Sequence, residues 1–378
     1  MSRVVISVTS CICFDQRVLK MAELLALPAS KITIIGRRKE KTCEHIPVPF
    51  KTIRFRMIFT GGVFFYSFFN LRLFFMLLFM RADLLIANDL DTLLPNYLVS
   101  LVRRIPLIYD SHEFFTEVPE LKNRPLVKSI WTGIEKSILP HLKYMITVSD
   151  PIARYYHDKY GISPVVIRNF SKRAVDILPF SRKEINVKED VLLAVIMGTG
   201  LNMDKGVEEL VDAVSMTDNV NLLIIGSGDI IRNMENKVKK LGSGSRIRFI
   251  PAVPWDTMLK YTGCADVGMC LEKDTNLNYR YSLPNKLFNY ISAGIAIVSS
   301  GMPEVKKLME EYHFGICLDS VTPENISRTL VKLRDNNVQL EKLKLQTINA
   351  SEIINWENEA KKAADLFTLI FKTVKKRN

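Results

Sequence analysis

Short apolar runs alternate with helical patterns along almost the whole chain. The runs are rich in Val, Ile and Leu, and each adjoins a stretch whose apolar residues recur at helical spacing. In order, the runs are VVISVTS, KITIIG, DLLIAN, PLIYDS, YMITVS, VVIRN, VLLAVIMG, NLLIIG, RIRFI, DVGMC, IAIVSS and FGICL. This alternation is typical of parallel sheets with crossover helices, so the sequence predicts the α/β class.

A polar, charged stretch at residues 171–190 separates two such series of runs. The 378 residues leave room for two domains of about 150 residues each. We therefore predict two doubly wound parallel-sheet domains, residues 1–175 and 176–350. The amphipathic pattern of residues 351–378 predicts a helix that crosses back to the first domain. Ligands of doubly wound sheets bind beyond the carboxyl ends of the strands, which predicts a cleft between two facing domains.

The composition is that of a folded protein. Hydrophobic residues make up 48% and charged residues 24%, which excludes disorder, collagen and coiled coil. The net charge of +12 attracts polyanions, anionic membrane surfaces or phosphorylated small molecules. This charge is spread along the chain, and the sequence carries no helix-turn-helix, ribonucleoprotein-like or zinc-finger signature. We therefore expect no nucleic acid partner.

The six cysteines are scattered along the chain. They form no Cys-x-x-Cys pair, so the sequence predicts neither a disulfide framework nor a zinc site. This usage is typical of a reducing, cytoplasmic location. The N-terminal apolar stretch alternates like a strand and lacks a small-residue cleavage site, so we expect no signal peptide.

Segment 54–81, RFRMIFTGGVFFYSFFNLRLFFMLLFMR, is dense in Phe, Leu and Met. Its longest uncharged run, residues 57–71, has 15 residues, whereas a helix that spans a bilayer needs about 20. The wide aromatic face and the spaced arginines predict a helix lying in the headgroup region of an anionic leaflet. A buried pair of core helices is the alternative.

Glycines and a lysine follow the first strand of the second domain. The sequence MGTGLNMDKGVEEL places Gly198 and Gly200 after the strand and Lys205 at the start of a helix. Glycines that admit an anion to backbone N–H groups, with a lysine near a helix N-terminus, are typical of a diphosphate site. A second turn at Gly226 favours the same interpretation, and an ordinary strand-to-helix turn with a surface lysine remains open.

The stretch YRYSLPNKLFNYISAGIAIVSS begins a helix near Pro284, a residue suited to a first helical turn. Asn285, Lys286 and Asn289 stand at spacings of three and four, so they share one rim of the predicted cleft.

Polar residues also follow two strands of the first domain. His112 and Glu113 come directly after PLIYDS, and they are candidates for polar chemistry, with a hydrogen-bonded structural histidine as the alternative. Asp89 and Asp91 follow DLLIAN, where an Asp-x-Asp pair is able to hold a metal ion. The favoured role is that Asp89 or Asp91 caps the next helix, which is predicted to begin at Thr92, so we expect no metal.

Together these segments resemble the family 4 retaining glycosyltransferases of bacterial polysaccharide type. The resemblance covers nearly the whole chain, and SLPNKLFNYISAGIAIVSS is its most specific motif. The other carriers are FDQRVLKMAELL, IANDLDTLLP, IYDSHEFFTEVPEL, TVSDPIARYY, VVIRNF and DKGVEEL. The resemblance implies the GT-B fold of two facing Rossmann-like domains, in which the second binds a nucleotide-sugar donor and the first binds the acceptor.

The resemblance also implies roles for individual residues. Lys205 is similar to the lysine that pairs with the donor diphosphate, and His112 to the histidine that contacts the transferred sugar, so both are implied as catalytic. The implied donor site comprises Gly198, Thr199, Gly200, Lys205, Gly226, Arg280, Tyr281, Leu283, Pro284, Asn285, Lys286 and Asn289. The implied acceptor side comprises Asp15, Arg17, Asp89, His112 and Glu113.

The chain departs from the family pattern at two places. The family usually has two glutamates separated by seven residues, and this chain has Tyr281 and Asn289 there. An asparagine still hydrogen-bonds a ribose diol, without the charge of a carboxylate. Thr199 stands where an arginine is common, which makes Arg280 the candidate for the second phosphate cation.

We therefore expect a retaining glycosyltransferase that moves a sugar from a UDP- or GDP-sugar to a glycan or lipid-linked acceptor. Surface polysaccharide biosynthesis is the expected role, with no cofactor and no required metal. The expected location is the inner face of the cytoplasmic membrane, with peripheral binding through segment 54–81. Two alternatives stay open: a nucleotide-sugar 2-epimerase of the same architecture, and a non-catalytic subunit that has kept the fold.

Overall fold

The computed structural model describes residues 2–26, 31–38, 48–174 and 177–375. The chain divides into two compact units. Unit 1 comprises Met1–Arg168 and Ala360–Asn378, and unit 2 comprises Asn169–Glu359. The predicted domain boundary at residues 175 and 176 lies outside the described residues.

Unit 1 contains a parallel sheet with strand order β3-β2-β1-β4-β5-β6-β7. Both faces of such a sheet are covered by helices, so its strands are near-continuous apolar runs. The strands are β1 (Arg3–Ser7), β2 (Lys31–Arg37), β3 (Lys51–Phe55), β4 (Leu84–Asn88), β5 (Leu107–Ser111), β6 (Tyr144–Thr147) and β7 (Val165–Val166). The helices are α1 (Gln16–Ala26), α2 (Gly62–Phe79), α3 (Leu90–Arg103), α4 (Pro125–Ile138) and α5 (Asp150–Tyr160).

Segment 54–81 forms the end of β3, a connection, and the single helix α2. Phe65, Phe69, Leu73 and Leu77 recur every four residues and are buried, so they form one stripe against the core. The remaining residues of α2 are partly or fully exposed. Within the described residues, α2 is the one helix whose length and apolar composition would allow it to cross a membrane, and 22% of it is buried. The alternative of a buried helix pair is therefore wrong.

Unit 2 contains a second parallel sheet with strand order β10-β9-β8-β11-β12-β13. Its strands are β8 (Leu192–Gly198), β9 (Val220–Gly226), β10 (Ile247–Ile250), β11 (Val267–Cys270), β12 (Ala296–Ser299) and β13 (Gly315–Cys317). Its helices are α6 (Val207–Ser215), α7 (Ile231–Lys240), α8 (Trp255–Gly263), α9 (Leu277–Tyr281), α10 (Asn285–Ala293), α11 (Pro303–Tyr312), α12 (Pro323–Asp335) and α13 (Asn337–Ser351). The last helix, α14 (Trp356–Lys375), leads from unit 2 into unit 1.

The strand order reverses once in each sheet. In unit 1 the reversal lies between β1 and β4, and in unit 2 it lies between β8 and β11. Such a point opens a crevice at the carboxyl ends of the two strands, where doubly wound sheets bind their ligands. The predicted α/β class with two doubly wound parallel sheets is confirmed.

The thiols show one departure from the sequence prediction. Among the described cysteines, Cys264, Cys270 and Cys317 are free thiols, as expected for reduced cysteines. Cys11 is disulfide-bonded, so the expectation of reduced thiols does not hold there.

Candidate functional site

Two glycine turns of unit 2 lie against each other at the carboxyl edge of the sheet. Gly226 has a φ of +128°, and a Cβ atom there would lie 1.9 Å from the carbonyl oxygen of Gly198. Ser227 N–H donates to this carbonyl oxygen, and Leu201 N–H donates to the carbonyl of Ser227. Only glycine tolerates both the backbone angle and the close approach at residue 226. The turns at the predicted residues Gly198 and Gly226 therefore pack directly against each other. Thr199 and Gly200 are exposed next to them.

Lys205 and Lys286 meet at one carboxylate, although 81 positions of sequence separate them. The Glu272 Oε1 atom lies 2.9 Å from Lys286 Nζ and 3.7 Å from Lys205 Nζ. Lys205 Nζ also lies 3.8 Å from the centroid of the Tyr279 ring, which is cation–π distance. Lys205 follows β8, Glu272 follows β11, and Lys286 begins α10, so the strand-order reversal brings the three together.

Glu272 was missed in the sequence analysis. It stands two residues beyond β11, and that position at the reversal of strand order was the signal that could have found it. Burial raises the pKa of this carboxyl group, but the charges of Lys286 and Lys205 more than compensate and lower it to about 2. Glu272 therefore stays ionised at any physiological pH.

The other predicted residues of α10 have partners within unit 2. The Asn289 side-chain oxygen accepts hydrogen bonds from Ser171 Oγ at 2.7 Å and from Trp255 Nε1 at 3.2 Å. The Asn285 side-chain oxygen accepts one from Asn169 Nδ2 at 2.8 Å. The predicted ribose contact of Asn289 stays a prediction, and its oxygen already serves two donors.

Three more donor-site residues flank this helix. Leu283 is buried, whereas Pro284 and Tyr281 are partly exposed. Arg280, the candidate for a second phosphate cation, is nearly half exposed and pairs with Asp274 at 2.5 Å. The second cation beside Lys205 is instead Lys286, which pairs with Glu272. The carboxylate that Arg280 pairs with is a different one, Asp274.

In unit 1 the predicted residues Asp89 and His112 form an ion pair. His112 Nε2 lies 3.0 Å from Asp89 Oδ2, while Asp89 Oδ1 accepts the backbone N–H groups of His112 and Glu113. Asp89 has a φ of +56°, a strained angle for a residue with a side chain, and such strain is frequent at functional sites. Its carboxylate does not cap α3, so the capping role is wrong for Asp89.

His112 and the neighbouring Asp91 both have displaced pKa values. Burial disfavours the charged form of His112, but Asp89 overcomes this penalty by charge and hydrogen bond and raises the pKa to about 10. Burial and then the charge of Asp89 raise the pKa of Asp91 to about 8, although Thr9 Oγ1 donates to Asp91 at 2.5 Å. Within the described residues, His112 Nδ1 and Asp91 Oδ1 are buried without a hydrogen-bond partner. At neutral pH, His112 is therefore an imidazolium with one ring N–H to spare.

The remaining acceptor-side residues have different positions. Asp15 directly precedes α1 and accepts hydrogen bonds from Ser10 Oγ and Val18 N–H. Arg17 is buried and its guanidinium binds Asp110 at 2.6 Å, so it supports the sheet edge and does not face an acceptor. Glu113 is exposed next to His112.

No group of three or more His, Cys, Asp or Glu side chains in the described residues is arranged to hold a metal ion. Asp89 is directed to His112, and Asp91 to Thr9.

Two family models match this chain, one on each half. The model described as "Glycosyl transferases group 1" matches residues 179–351, and the model described as "Glycosyltransferase Family 4" matches residues 18–170. The first match holds Lys205, Glu272 and Lys286, and the second holds Asp89 and His112.

Known proteins show the same likeness. The chain is 22% identical over 280 residues to chitobiosyldiphosphodolichol beta-mannosyltransferase of Candida albicans, which covers 67% of this chain and 60% of that relative's length. Among solved structures, sucrose-phosphate synthase from Thermosynechococcus elongatus has a TM-score of 0.76 and 15% identity, with 99% of this chain and 100% of that one covered. Anabaena HepE in complex with UDP and glucose has a TM-score of 0.74 and 12% identity, with 97% and 100% covered. At these identities the two structures show the fold alone.

Proposed function

Since this chain belongs to the family 4 glycosyltransferases, we propose that it transfers a hexosyl residue from a UDP- or GDP-sugar to a glycan or lipid-linked acceptor. The anomeric configuration is retained, and the product serves surface polysaccharide biosynthesis. Residues 198–226 and 280–289 bind the donor, and Asp89 and His112 lie on the acceptor side.

The buried cluster of Lys205, Lys286 and Glu272 carries this proposal. Two ammonium groups and one carboxylate leave a net charge of +1 at the carboxyl edge, next to glycine turns with open backbone. Groups of this kind stabilise the phosphate oxygens of a leaving diphosphate. The relative HepE, whose structure contains UDP, supports a nucleoside diphosphate as the ligand.

In the proposed reaction the bond between the anomeric carbon and the diphosphate breaks first. The electron pair goes to the phosphate oxygen, where the charges of Lys205 and Lys286 stabilise it, and the sugar becomes oxocarbenium-like. The acceptor hydroxyl attacks on the same face, and the departing phosphate takes its proton. His112 donates its free ring N–H to the sugar or the leaving phosphate. Donor binding by this scheme requires no metal ion.

An apolar surface on unit 1 supports a second partner, an anionic bilayer. We use the name α2–α4 surface for the exposed apolar side chains of the three neighbouring helices α2, α3 and α4. They are Val63, Phe64, Leu71, Phe75 and Phe79 on α2, Leu94, Leu98, Leu101 and Val102 on α3, and Leu126 and Ile130 on α4. The Arg103 guanidinium on α3 donates to the carbonyl of Leu77 on α2, and Tyr66 on α2 stacks edge-on against Trp131 on α4.

Charge complements this apolar surface. Arg56, Arg81 and Arg104 are exposed beside it, whereas α2 itself carries no acidic residue. Aromatic and aliphatic side chains enter the headgroup region of a leaflet, and arginines pair with anionic lipids. We propose that the protein lies on the cytoplasmic face of the membrane through this surface.

The α2–α4 surface also adjoins the acceptor side. Burial and then the charge of Asp91 raise the pKa of Tyr66 on α2 to about 12, which shows that α2 approaches this carboxylate. Helix α3 begins at Leu90, directly after Asp89. An acceptor anchored in a bilayer under α2 would therefore present its headgroup to Asp89 and His112, which favours a lipid-linked acceptor.

A thermal-shift panel with UDP, GDP, TDP and CDP, each with and without magnesium, tests the donor site. A ligand present at 100 times its dissociation constant stabilises the folded state by about 2.7 kcal/mol. We expect one of the four nucleotides to raise the melting temperature, with or without magnesium. During turnover, the corresponding nucleotide-sugar should release that nucleoside diphosphate. If none of the four nucleotides changed the melting temperature of a protein that melts cooperatively, the proposal would be contradicted. Tight binding without turnover would identify a non-catalytic subunit, and interconversion of a nucleotide-sugar without transfer would identify the epimerase.

A further inference from the structure

Glu272 is held firmly between the two lysines by the backbone around it. Gly206, with a φ of +72°, lets the turn after β8 lie directly on Leu271, since a Cβ atom there would be 2.4 Å from Leu271 Cβ. Lys273 N–H donates to the carbonyl of Asp204 at 2.9 Å. The segments 204–206 and 271–273 are thus joined on both sides of the ion pair. The geometry fixes Lys205 and Glu272 as neighbours in the ligand-free protein.

The three charged groups are almost removed from water. The exposed fraction of the side chain is 3% for Glu272, 7% for Lys286 and 18% for Lys205. Among the described residues, the Lys286 ammonium has no hydrogen-bond partner apart from this carboxylate. An ammonium group has three N–H donors, so Lys286 keeps donors for a ligand.

Two buried ammonium groups side by side repel each other. Without a carboxylate between them, burial and like charge would both favour loss of a proton from one lysine. A neutral amine attracts a diphosphate far less strongly than an ammonium group does. The site therefore needs a carboxylate that is not itself part of the ligand contact.

We propose that Glu272 is a positioning residue, which holds Lys205 and Lys286 side by side in their charged forms, ready for the diphosphate of the donor. The identity of the ligand rests on the proposed function, whereas the effect of Glu272 on the two lysines does not. Glu272 acts through the lysines and does not contact the reacting atoms.

Replacement Glu272→Gln keeps the shape of the side chain and removes its charge. One of the two buried lysines then loses its proton more readily, because burial and the neighbouring ammonium group both favour the neutral amine, and diphosphate binding has to restore that proton. Uptake of one proton makes the association constant fall about tenfold per pH unit. We expect this slope for UDP in the variant between pH 7.5 and 8.5, and nearly none in the wild-type protein, as measured by titration calorimetry. Inorganic pyrophosphate serves as a second probe that is independent of the base.

A ligand-free measurement separates this proposal from the proposed function. Trace acetylation with acetic anhydride at pH 8, mapped by mass spectrometry, reports the neutral fraction of each lysine. Relative to the exposed Lys239, we expect Lys205 or Lys286 to react at least about tenfold faster in Glu272→Gln than in the wild type. The control Asp212→Asn removes the carboxylate partner of Lys237 elsewhere in unit 2. It should change neither the acetylation rate of Lys205 and Lys286 nor the binding of UDP.

The outcomes decide between the two proposals. A rise in lysine reactivity with no binding of any nucleotide or pyrophosphate by the wild type would support the role of Glu272 and overturn the donor site. Unchanged reactivity, with UDP binding weakened equally at both pH values, would mean that Glu272 is merely structural. If Glu272→Gln does not fold, Glu272→Gln combined with Lys286→Met restores the charge balance. That double variant should bind UDP weakly and without pH dependence, and a persisting slope would overturn the proposal.

Discussion

Asp89 and His112 form an ion pair at the carboxyl edge of unit 1, with Oδ2 and Nε2 3.0 Å apart. The other carboxylate oxygen accepts the backbone N–H groups of His112 and Glu113, so Asp89 fixes both the charge and the orientation of the ring. His112 is therefore a cation whose Nδ1–H has no acceptor in the described residues and is available to a ligand, and it is not a general base. This role agrees with a reaction in which the leaving phosphate takes the proton.

Replacement Asp89→Asn should make catalysis dependent on pH in the neutral range. The variant loses the charge and the hydrogen bond that contribute most to raising the His112 pKa to about 10, so the pKa falls, with only the weaker charges of Asp15 and Asp110 left to oppose the effect of burial. We expect kcat/KM of the variant, relative to wild type, to fall progressively from pH 6 to pH 9. Asp83→Asn is the control, because the Asp83 carboxylate accepts the backbone N–H of Arg3 at the start of β1. A ratio that does not change with pH would contradict the role of Asp89.

The same pair affects stability with a defined sign. The folded-state pKa of His112 lies above its unfolded value of about 6.5, so the contribution is fully present below pH 6.5 and is lost as the pH rises towards 10. Urea unfolding at pH 6 and pH 9 should therefore show a larger difference between wild type and Asp89→Asn at pH 6. An equal difference at both values would mean that His112 is neutral in the folded protein.

The sequence predicted the fold well because parallel strands have a local signature. Buried strands such as β4 and β8 are continuous apolar runs, and each run marks its own position without reference to the rest of the chain. Lys205 and Lys286 were found for a similar reason, since each lies near the start of a helix after glycine or proline.

Other features depend on contacts between distant positions. Arg17 was placed on the acceptor side, but its partner Asp110 is 93 residues away, and nothing near Arg17 in the sequence reveals that contact. In the sequence, Glu272 is one of several charged residues in the polar stretch LEKDTN. Its position opposite Lys205 becomes visible only when β11 is known to pair with β8. Segment 54–81 has apolar residues all round the helix, so its pattern alone could not show which stripe is buried.

Replacement Lys205→Ala should reduce turnover by about a hundredfold or more. The lysine stabilises the charge that develops on the leaving diphosphate, and such a contribution is usually the largest electrostatic one in a site. Steady-state transfer from the cognate nucleotide-sugar measures the effect, with the exposed Lys239→Ala as the matched control. Normal turnover in Lys205→Ala would show that this lysine is not the diphosphate ligand.

Replacement Gly226→Ala should destabilise the protein and weaken nucleotide binding. The residue has a left-handed φ of +128°, and its new Cβ atom would meet the Gly198 carbonyl at 1.9 Å. Backbone strain alone costs about 1–3 kcal/mol, and the clash adds to it. Gly200→Ala is the control, because no atom lies within 4 Å of a Cβ there. Equal free energies of unfolding for the two variants would contradict the close approach of the turns.

Replacement Arg17→Met should lower the free energy of unfolding by about 3–5 kcal/mol, because it leaves Asp110 buried without its partner. The double variant Arg17→Met with Asp110→Leu should recover most of this loss, since an apolar pair replaces the buried ion pair. Chemical denaturation of the three proteins measures the effect. A double variant as unstable as Arg17→Met alone would show that Asp110 is not the group left uncompensated.

The α2–α4 surface should be required for binding to anionic vesicles but not for folding. Phe64, Phe75 and Phe79 are 72%, 51% and 81% exposed, so replacing all three by Ser removes apolar contact with lipid and little core packing. We expect co-sedimentation with phosphatidylglycerol-containing vesicles to weaken at least about tenfold, with an unchanged melting temperature. The control replaces Leu178 and Val338, each 82% exposed in unit 2, by Ser. High salt should weaken binding of the wild type because the arginine contacts are screened. Vesicle binding by the triple variant as strong as that of the wild type would place the membrane contact elsewhere.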